Sequence, residues 1–230
     1  MGPGERLLRL VPAVRRSLDQ VVAHARTWDE RNAAVLADPA AAPLWVVLGD
    51  STAQGVGVPD VDGGYVGRVR ALLEARDGRR WNVLNLSRSG AVLADVLDGQ
   101  LPRLRELGRR PELVTAVVGG NDLRKTPQPL LLARLPELIA ALPDGAAVAT
   151  LPRGLREARA REANALLLHL TAARGLTVVD LWAVTGPPWR GKYADGLHPG
   201  PAGVSDWVRA FGRALDLPAE TDPPAVRARR

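Results

Sequence analysis

The chain has 230 residues, no cysteine and a formal net charge of +6. This length suffices for one domain with a sizeable core, and a hydrophobic content of 46% argues against wholesale disorder. The absence of cysteine excludes disulfides, thiolate metal sites and cysteine nucleophiles, and no apolar run has the length of a membrane-spanning helix, so we expect a soluble protein without membrane insertion.

Arginine carries nearly all of the positive charge, since lysine occurs only at Lys125 and Lys192. One interpretation is a protein that binds nucleic acid or an anionic surface. The arginines are spread along the whole chain, however, and the few aromatic residues provide no stacking platform for bases. Compositional bias is therefore the favoured interpretation, and we expect no nucleic-acid partner.

Residues 5–36 place apolar side chains at helical spacing, with charged side chains on the opposite face. A basic amphipathic helix for a membrane or partner is possible in principle, but a helix packed on the main domain is favoured. Residues 1–40 are therefore predicted to form a helical N-terminal extension that ends in an Asp-Pro and Ala-Pro linker. Pro12 interrupts the first apolar stretch, so we expect no secretion signal and a cytoplasmic protein.

Short apolar segments alternate with helical segments through residues 41–217. Strands are predicted at residues 44–48, 81–86, 113–118, 146–150 and 176–180, and helices at residues 65–75, 93–107, 129–142, 157–174 and 201–215. This alternation predicts an α/β fold, a parallel sheet covered by helices on both faces, with ligands bound beyond the carboxyl ends of the strands. Residues 218–230, rich in Pro, Glu and Arg, are predicted to form a disordered tail.

The turn after the first predicted strand contains Ser51. A serine at a strand-to-helix turn projects its hydroxyl into a site, and its own N–H can point at a developing oxyanion. By itself, Asp50-Ser51 also fits an ordinary helix cap or turn. A phosphate-binding loop fits poorly because its lysine is missing.

Two further candidate segments follow the second and third predicted strands. Gly90 can bring its N–H close to a substrate oxygen, and Asn121 in Gly-Gly-Asn-Asp offers an uncharged amide donor. Taken singly, these residues also fit a plain loop glycine and a turn asparagine.

The last candidate segment contains His198, one of only three histidines. His24 and His169 fall inside predicted helices and are expected to be packed or surface residues. His198 lies in a predicted loop, and Asp195 precedes it by three residues, so that a turn would let the carboxylate reach Nδ1 of the imidazole. That hydrogen bond would leave Nε2 free to accept a serine proton.

Together, in this order, the four segments resemble the GDSL-type, or SGNH, hydrolases over residues 44–215. The resemblance implies a three-layer α/β/α sandwich with a flavodoxin-like, five-stranded parallel sheet, and it makes residues 41–217 the hydrolase domain. It also implies that Ser51 is the nucleophile and an oxyanion donor, that Gly90 and Asn121 complete the oxyanion hole, and that Asp195 and His198 complete the catalytic triad.

One residue departs from the family motif: Thr52 stands where the family name has leucine. That position is not catalytic, so the predicted function is still a serine esterase, an SGNH-type esterase or lipase. We expect such an enzyme to hydrolyse a small-molecule carboxylic ester through an acyl-enzyme, with a short-chain or acetyl ester as the default. An acyltransferase of the same family, a non-catalytic binding module and an anionic-surface binder are the alternatives.

No cofactor or metal is needed for this chemistry. Asp50, Asp122 and Asp195 could imitate a cation site, but each has a local structural or triad role available. Trp182, Trp189 and Tyr193, near Pro187-Pro188, are predicted to line a substrate pocket, as a wall for an acyl chain or a platform for a sugar. They could equally cover the sheet edge. The sequence predicts no particular oligomeric state.

Overall fold

A computed structural model describes residues 12–37, 42–154 and 156–220. All the strand pairs of its single sheet are parallel, in the order β2-β1-β3-β4-β5. The strands are β1 (Leu44–Gly49), β2 (Asn82–Asn85), β3 (Leu113–Val117), β4 (Ala147–Ala149) and β5 (Thr177–Val179). This order is the flavodoxin-like one, so the predicted five-stranded parallel sheet is confirmed.

Helices connect the strands and flank the sheet. They are α1 (Pro12–Ala37), α2 (Tyr65–Asp77), α3 (Leu93–Asp95), a π-helical turn (Val96–Gln100), α4 (Leu101–Arg105), α5 (Asp122–Lys125), α6 (Gln128–Ala141), α7 (Glu157–Arg174), α8 (Leu181–Val184) and α9 (Pro201–Ala214). The helix predicted at residues 93–107 is thus interrupted by a π-helical turn. Helices α5 and α8 were not predicted, because one turn is too short to show an apolar period.

Alternating side chains of β1 point into two separate cores. Val46 and Leu48 pack with α6 and α7 on one face of the sheet. Trp45 and Val47 pack with α2 and α9 on the other face. Because both faces are covered, β1 is apolar along its whole length, and the molecule is a three-layer α/β/α sandwich.

Helix α1 packs along the open edge of the sheet beside β2. The Asn32 amide donates to the Asn85 carbonyl at 2.7 Å, and its oxygen accepts from the Asn85 N–H at 2.8 Å. Trp28 is buried in the second core. The side chain of Asn32 thereby takes the place of a neighbouring strand at this edge. Residues 5–11 of the predicted helix lie outside the described residues.

Within the three described ranges, no helix combines the length and the apolar character needed to cross a bilayer. Of the predicted disordered tail, residues 221–230 lie outside the described residues. Residues 218–220 have no regular secondary structure, and the Glu220 carboxylate pairs with the Arg68 guanidinium.

Candidate active site

A cavity of about 580 Å³ lies at the carboxyl edge of the sheet. The segments that follow β1, β3 and β4 and the loop before α9 contribute its lining, which includes Ser51, Asn121 and His198. Ligands of open parallel sheets bind at this edge, where the strand-to-helix loops gather. Residues far apart along the chain therefore meet at the position expected for a binding site.

Three of the predicted residues form a continuous hydrogen-bonded chain. Ser51 Oγ lies 2.9 Å from His198 Nε2, across a separation of 147 residues. His198 Nδ1 lies 2.7 Å from Asp195 Oδ2. With Nδ1 donating to the carboxylate, Nε2 is the basic nitrogen that faces the serine hydroxyl.

The segment Asp195-Gly-Leu-His198 forms a tight turn that orients the carboxylate. Asp195 Oδ1 accepts from the N–H groups of Leu197 at 3.0 Å and His198 at 2.8 Å, which leaves Oδ2 for the imidazole. Gly196 has a φ of +82°, a left-handed conformation that glycine adopts without a steric penalty. The spacing of three residues therefore places the carboxylate and imidazole together through local geometry.

The charge of Asp195 is stabilised by its donors. Burial acts to raise the pKa of this carboxyl, but hydrogen bonds from the His198 imidazole, the His198 N–H and the Ser17 hydroxyl outweigh it. The pKa of Asp195 consequently lies well below its usual range.

The predicted oxyanion donors are only partly gathered around the cavity. Ser51 and Asn121 line it, whereas Gly90 is not among the lining residues. The Asn121 amide donates to the Ala91 carbonyl at 3.1 Å, so the loop that carries Gly90 lies against Asn121. Gly90 itself has a φ of +81°, and the Lys125 ammonium donates to its carbonyl at 2.9 Å.

Asp50 has the local turn role that its sequence position offers, together with a contact to Asn121 that the sequence analysis missed. Its Oδ1 accepts from the N–H and hydroxyl of Thr52, at 2.9 and 2.8 Å, and its Oδ2 lies 3.3 Å from the Asn121 amide nitrogen. Burial raises the pKa of this carboxyl. Asp50 thus links the turn that carries Ser51 to Asn121. The position of Asp50 directly before Ser51 in the sequence is the signal that could have indicated this role.

Gln54 is a second residue that the sequence analysis missed. Its amide donates to the Ser87 carbonyl at 3.1 Å, and its oxygen accepts from the N–H and hydroxyl of Ser89, at 3.1 and 2.6 Å. The side chain is buried. Gln54 therefore ties the loop after Ser51 to the loop that leads into Gly90.

Two of the three predicted pocket aromatics line the cavity. Trp189 and Tyr193 do so, with ring centroids 6.1 Å apart, and Trp189 remains 38% exposed. Trp182 lies outside the cavity lining, which corrects its placement by the sequence analysis. It belongs to the unpredicted helix α8, where the Arg153 and Arg161 guanidinium groups lie 5.2 and 5.8 Å from its ring.

The other two histidines lie in helices and do not line the cavity. His24 is buried in α1, and His169 is exposed on α7. Among the described residues, no three His, Asp or Glu side chains come together as a metal site would require.

A family model described as the GDSL-like Lipase/Acylhydrolase family matches residues 47–204. No curated protein shows significant sequence similarity to the chain. Among solved structures, the fold is similar to that of LAE5, an alpha/beta hydrolase enzyme from the metagenome of Lake Arreo, Spain. The identity is 22%, the TM-score is 0.61, and the match covers 77% of this chain and 96% of LAE5.

Two further solved structures have a similar fold. Axe2, an acetylxylan esterase from Geobacillus stearothermophilus, is 18% identical with a TM-score of 0.62, covering 79% of this chain and 97% of Axe2. TesA is 26% identical with a TM-score of 0.60, covering 75% of this chain and 97% of TesA.

Proposed function

Because the chain belongs to the GDSL-like lipase/acylhydrolase family, we propose that it is a serine esterase that forms an acyl-enzyme at Ser51. Lipases and acylhydrolases cleave carboxylic esters, so the chain is a carboxylic-ester hydrolase. The observation that carries the choice of nucleophile is the 2.9 Å contact between Ser51 Oγ and His198 Nε2.

The first half-reaction begins at this contact. His198 Nε2 accepts the hydroxyl proton as Ser51 Oγ attacks the ester carbonyl carbon, which gives a tetrahedral intermediate. Asp195 holds the imidazole in the required tautomer and stabilises the positive charge that it gains. The intermediate collapses, His198 protonates the leaving alkoxide, and the acyl group stays on Ser51.

The negative oxygen of the intermediate is assigned to three donors: the N–H groups of Ser51 and Gly90 and the amide of Asn121. The observation that supports Asn121 is its position in the cavity lining, beside Ser51. The two N–H groups of the Asn121 amide face Asp50 Oδ2 at 3.3 Å and the Ala91 carbonyl at 3.1 Å, so the oxyanion would take the place of the more distant acceptor, Asp50.

The second half-reaction regenerates the enzyme. His198 removes a proton from water, whose oxygen attacks the acyl carbonyl, and the proton then returns to Ser51 Oγ as the acid leaves. Both half-reactions use the same imidazole and the same oxyanion donors, so one site suffices for the whole cycle.

We propose a short-chain or acetyl ester as the substrate. A volume of about 580 Å³ is typical of small-molecule sites and exceeds what an acetyl group fills, so part of the alcohol would also be enclosed. The exposed ring of Trp189 is suited to contact with the alcohol portion. The similarity in fold to Axe2 makes acetylated sugars a natural class to assay.

Replacement of the nucleophile tests the proposed chemistry. Ser51→Ala should abolish hydrolysis of p-nitrophenyl acetate and labelling by a fluorophosphonate probe, with an unchanged circular-dichroism spectrum. Ser205→Ala is the matched control, because Ser205 is a half-buried serine on α9 that lies outside the cavity lining. Wild-type turnover by the Ser51→Ala variant would contradict the assignment.

A panel of substrates tests the proposed acyl group. The values of kcat/KM for acetyl, butyryl and octanoyl esters of p-nitrophenol, and for acetylated xylo-oligosaccharides, should favour the shorter acyl chains. A preference for the octanoyl ester by tenfold or more would contradict the short-chain proposal and leave the nucleophile assignment intact.

A further inference from the structure

We propose that helix α1 holds the catalytic pair in register, with Gln20 as the positioning residue that fixes the backbone lying between Ser51 and His198. The inference rests on the proposed function, because it assigns Gln20 an effect on that pair. Helix α1 precedes residues 47–204, the range that the family model matches. The family match therefore assigns no role to this helix.

The first observation is a two-point contact made by the Gln20 side chain. Its oxygen accepts from the Gly57 N–H at 3.0 Å, and its amide donates to the Val58 carbonyl at 2.8 Å. Both Gly57 and Val58 are buried, and within the described part of the chain these two backbone groups have no other hydrogen-bond partner. A buried backbone group without a partner is costly, so this segment depends on Gln20.

The second observation is that the backbone held by Gln20 touches the catalytic histidine. A Cβ added to Gly57 would lie 2.4 Å from the Pro199 carbonyl oxygen and 3.0 Å from the His198 Cβ. Gly57 has a φ of +109°, so the close approach and the backbone conformation both require glycine. A shift of Gly57 is therefore transmitted to the backbone that carries the imidazole.

The third observation is that the same segment is bonded to the backbone of the nucleophile. The Val56 N–H donates to the Ser51 carbonyl at 3.0 Å. The segment thus starts at Ser51 and meets His198 one residue later, at Gly57. By holding its far end, Gln20 sets the separation between Ser51 Oγ and His198 Nε2, which is 2.9 Å in the structure.

Other side chains on the same face of α1 fix the rotation of the helix. Trp28 Nε1 donates to the Gln54 carbonyl at 3.2 Å, and the Arg31 guanidinium makes two hydrogen bonds of 2.8 Å to the Asp62 carboxylate. Trp28 and Arg31 follow Gln20 at a spacing that keeps all three on one side of a helix. The ion pair joins α1 to the same loop without involving the segment behind the histidine.

Steady-state kinetics of Gln20→Met test the inference. Methionine keeps the length of the side chain and removes both hydrogen bonds. The kcat for p-nitrophenyl acetate should fall by about tenfold or more, with KM nearly unchanged, because displaced reacting groups slow the chemical step. Counting active sites with the fluorophosphonate probe refers kcat to correctly folded protein. An unchanged kcat per labelled site would overturn the proposal.

Arg31→Met is the matched control. It also removes two hydrogen bonds between α1 and the loop after Ser51, and it should leave kcat per labelled site unchanged. Equal losses in the two variants would show a general effect of helix docking and overturn the role of Gln20. Gln20→Asn, whose amide is one methylene shorter, is the second variant should Gln20→Met fail to fold. It should also lose kcat, and wild-type kcat in this variant would overturn the proposal.

A spectroscopic readout distinguishes failure of this inference from failure of the proposed function. The imidazole ¹⁵N NMR signals of His198 report its contact with Ser51, and they should shift in Gln20→Met and not in Arg31→Met. Unshifted signals would overturn the inference even in an active esterase. Shifted signals in a protein that hydrolyses no ester would sink the proposed function and retain the positioning role.

Discussion

At the scale of single residues, the candidate site combines contacts of very different sequence separation. Asp195 and His198 meet through a local turn, whereas Ser51 reaches His198 across 147 residues. The local contact sets the orientation of the imidazole, and the long-range contact depends on the whole sheet. Substitutions at the two contacts are therefore expected to act in different ways.

Asp195→Asn should lower kcat strongly without unfolding the protein. The amide is isosteric with the carboxylate but disfavours the tautomer that leaves Nε2 unprotonated, and the expected loss of kcat is about 10⁴-fold. Asp98→Asn, at an exposed position, is the control. The measurement is kcat with p-nitrophenyl acetate, and a loss smaller than tenfold would remove Asp195 from the triad.

Asn121→Ala should lower kcat by about 10²–10³-fold with little change in KM, because an oxyanion donor acts in the transition state and not on the bound ester. Steady-state kinetics measure both constants, and thermal unfolding checks that the cavity wall survives. If kcat is unchanged, the oxyanion is held by other donors.

At the scale of elements, helix α9 presses against the loop that carries Asp195 and His198. A Cβ on Gly203 would lie 2.3 Å from the Lys192 carbonyl oxygen, a backbone atom of that loop. On the same helix, a Cβ on Gly212 would have nothing within 4 Å. The two glycines thus form a matched pair within one element.

Gly203→Ala should displace the loop, destabilise the protein by about 1–3 kcal/mol and lower kcat by as much as about 10²-fold. Gly212→Ala should instead leave kcat unchanged and stabilise the protein by up to about 1 kcal/mol, because alanine is the better helix former. Chemical denaturation and steady-state kinetics measure both effects. Similar behaviour of the two variants would contradict a direct contact between α9 and the loop.

The edge of the sheet is a second place where one element depends on another. Asn32→Ala would leave the buried N–H and carbonyl of Asn85 unpaired, so the free energy of unfolding should fall by at least about 2 kcal/mol. Val22→Ala, at an exposed position of the same helix, should change it by less than about 0.5 kcal/mol. Equal effects in urea denaturation would show that α1 does not protect this edge.

At the scale of the whole molecule, two buried carboxyl groups should make the free energy of unfolding depend on pH in opposite directions. The pKa of Asp195 is lowered, so its ionisation contributes stability above about pH 4 that is lost as the pH falls through the folded-state pKa. Burial raises the pKa of Asp122, so its ionisation has a cost that is absent below about pH 4 and appears as the pH rises.

These opposite pH dependences are tested by measuring the free energy of unfolding between about pH 3 and pH 7. The proteins to compare are the wild type, Asp195→Asn and Asp122→Asn. As the pH rises, the stability of the wild type should increase relative to Asp195→Asn and decrease relative to Asp122→Asn. Parallel curves for the two variants would contradict the opposite directions of the two pKa shifts.

The strands could be predicted from the sequence because a strand buried on both faces must be apolar throughout, as residues 44–48 are. The turn from Asp195 to His198 could be predicted because its geometry is local. The position of Trp182 could not be predicted, because closeness to a site along the sequence does not determine where a side chain packs. In the structure, the Trp182 ring lies against the guanidinium groups of two arginines.

By itself, the sequence determined the order of strands and helices, the family, and the residue types available for acyl transfer, since each depends on periodicity or on short motifs. Only the tertiary structure decided which side chains touch: that Ser51 meets His198, and that Asp50 and Gln54 link neighbouring loops. Contacts between distant segments depend on how the helices pack on the sheet, and the spacing of residues along the chain does not determine that packing.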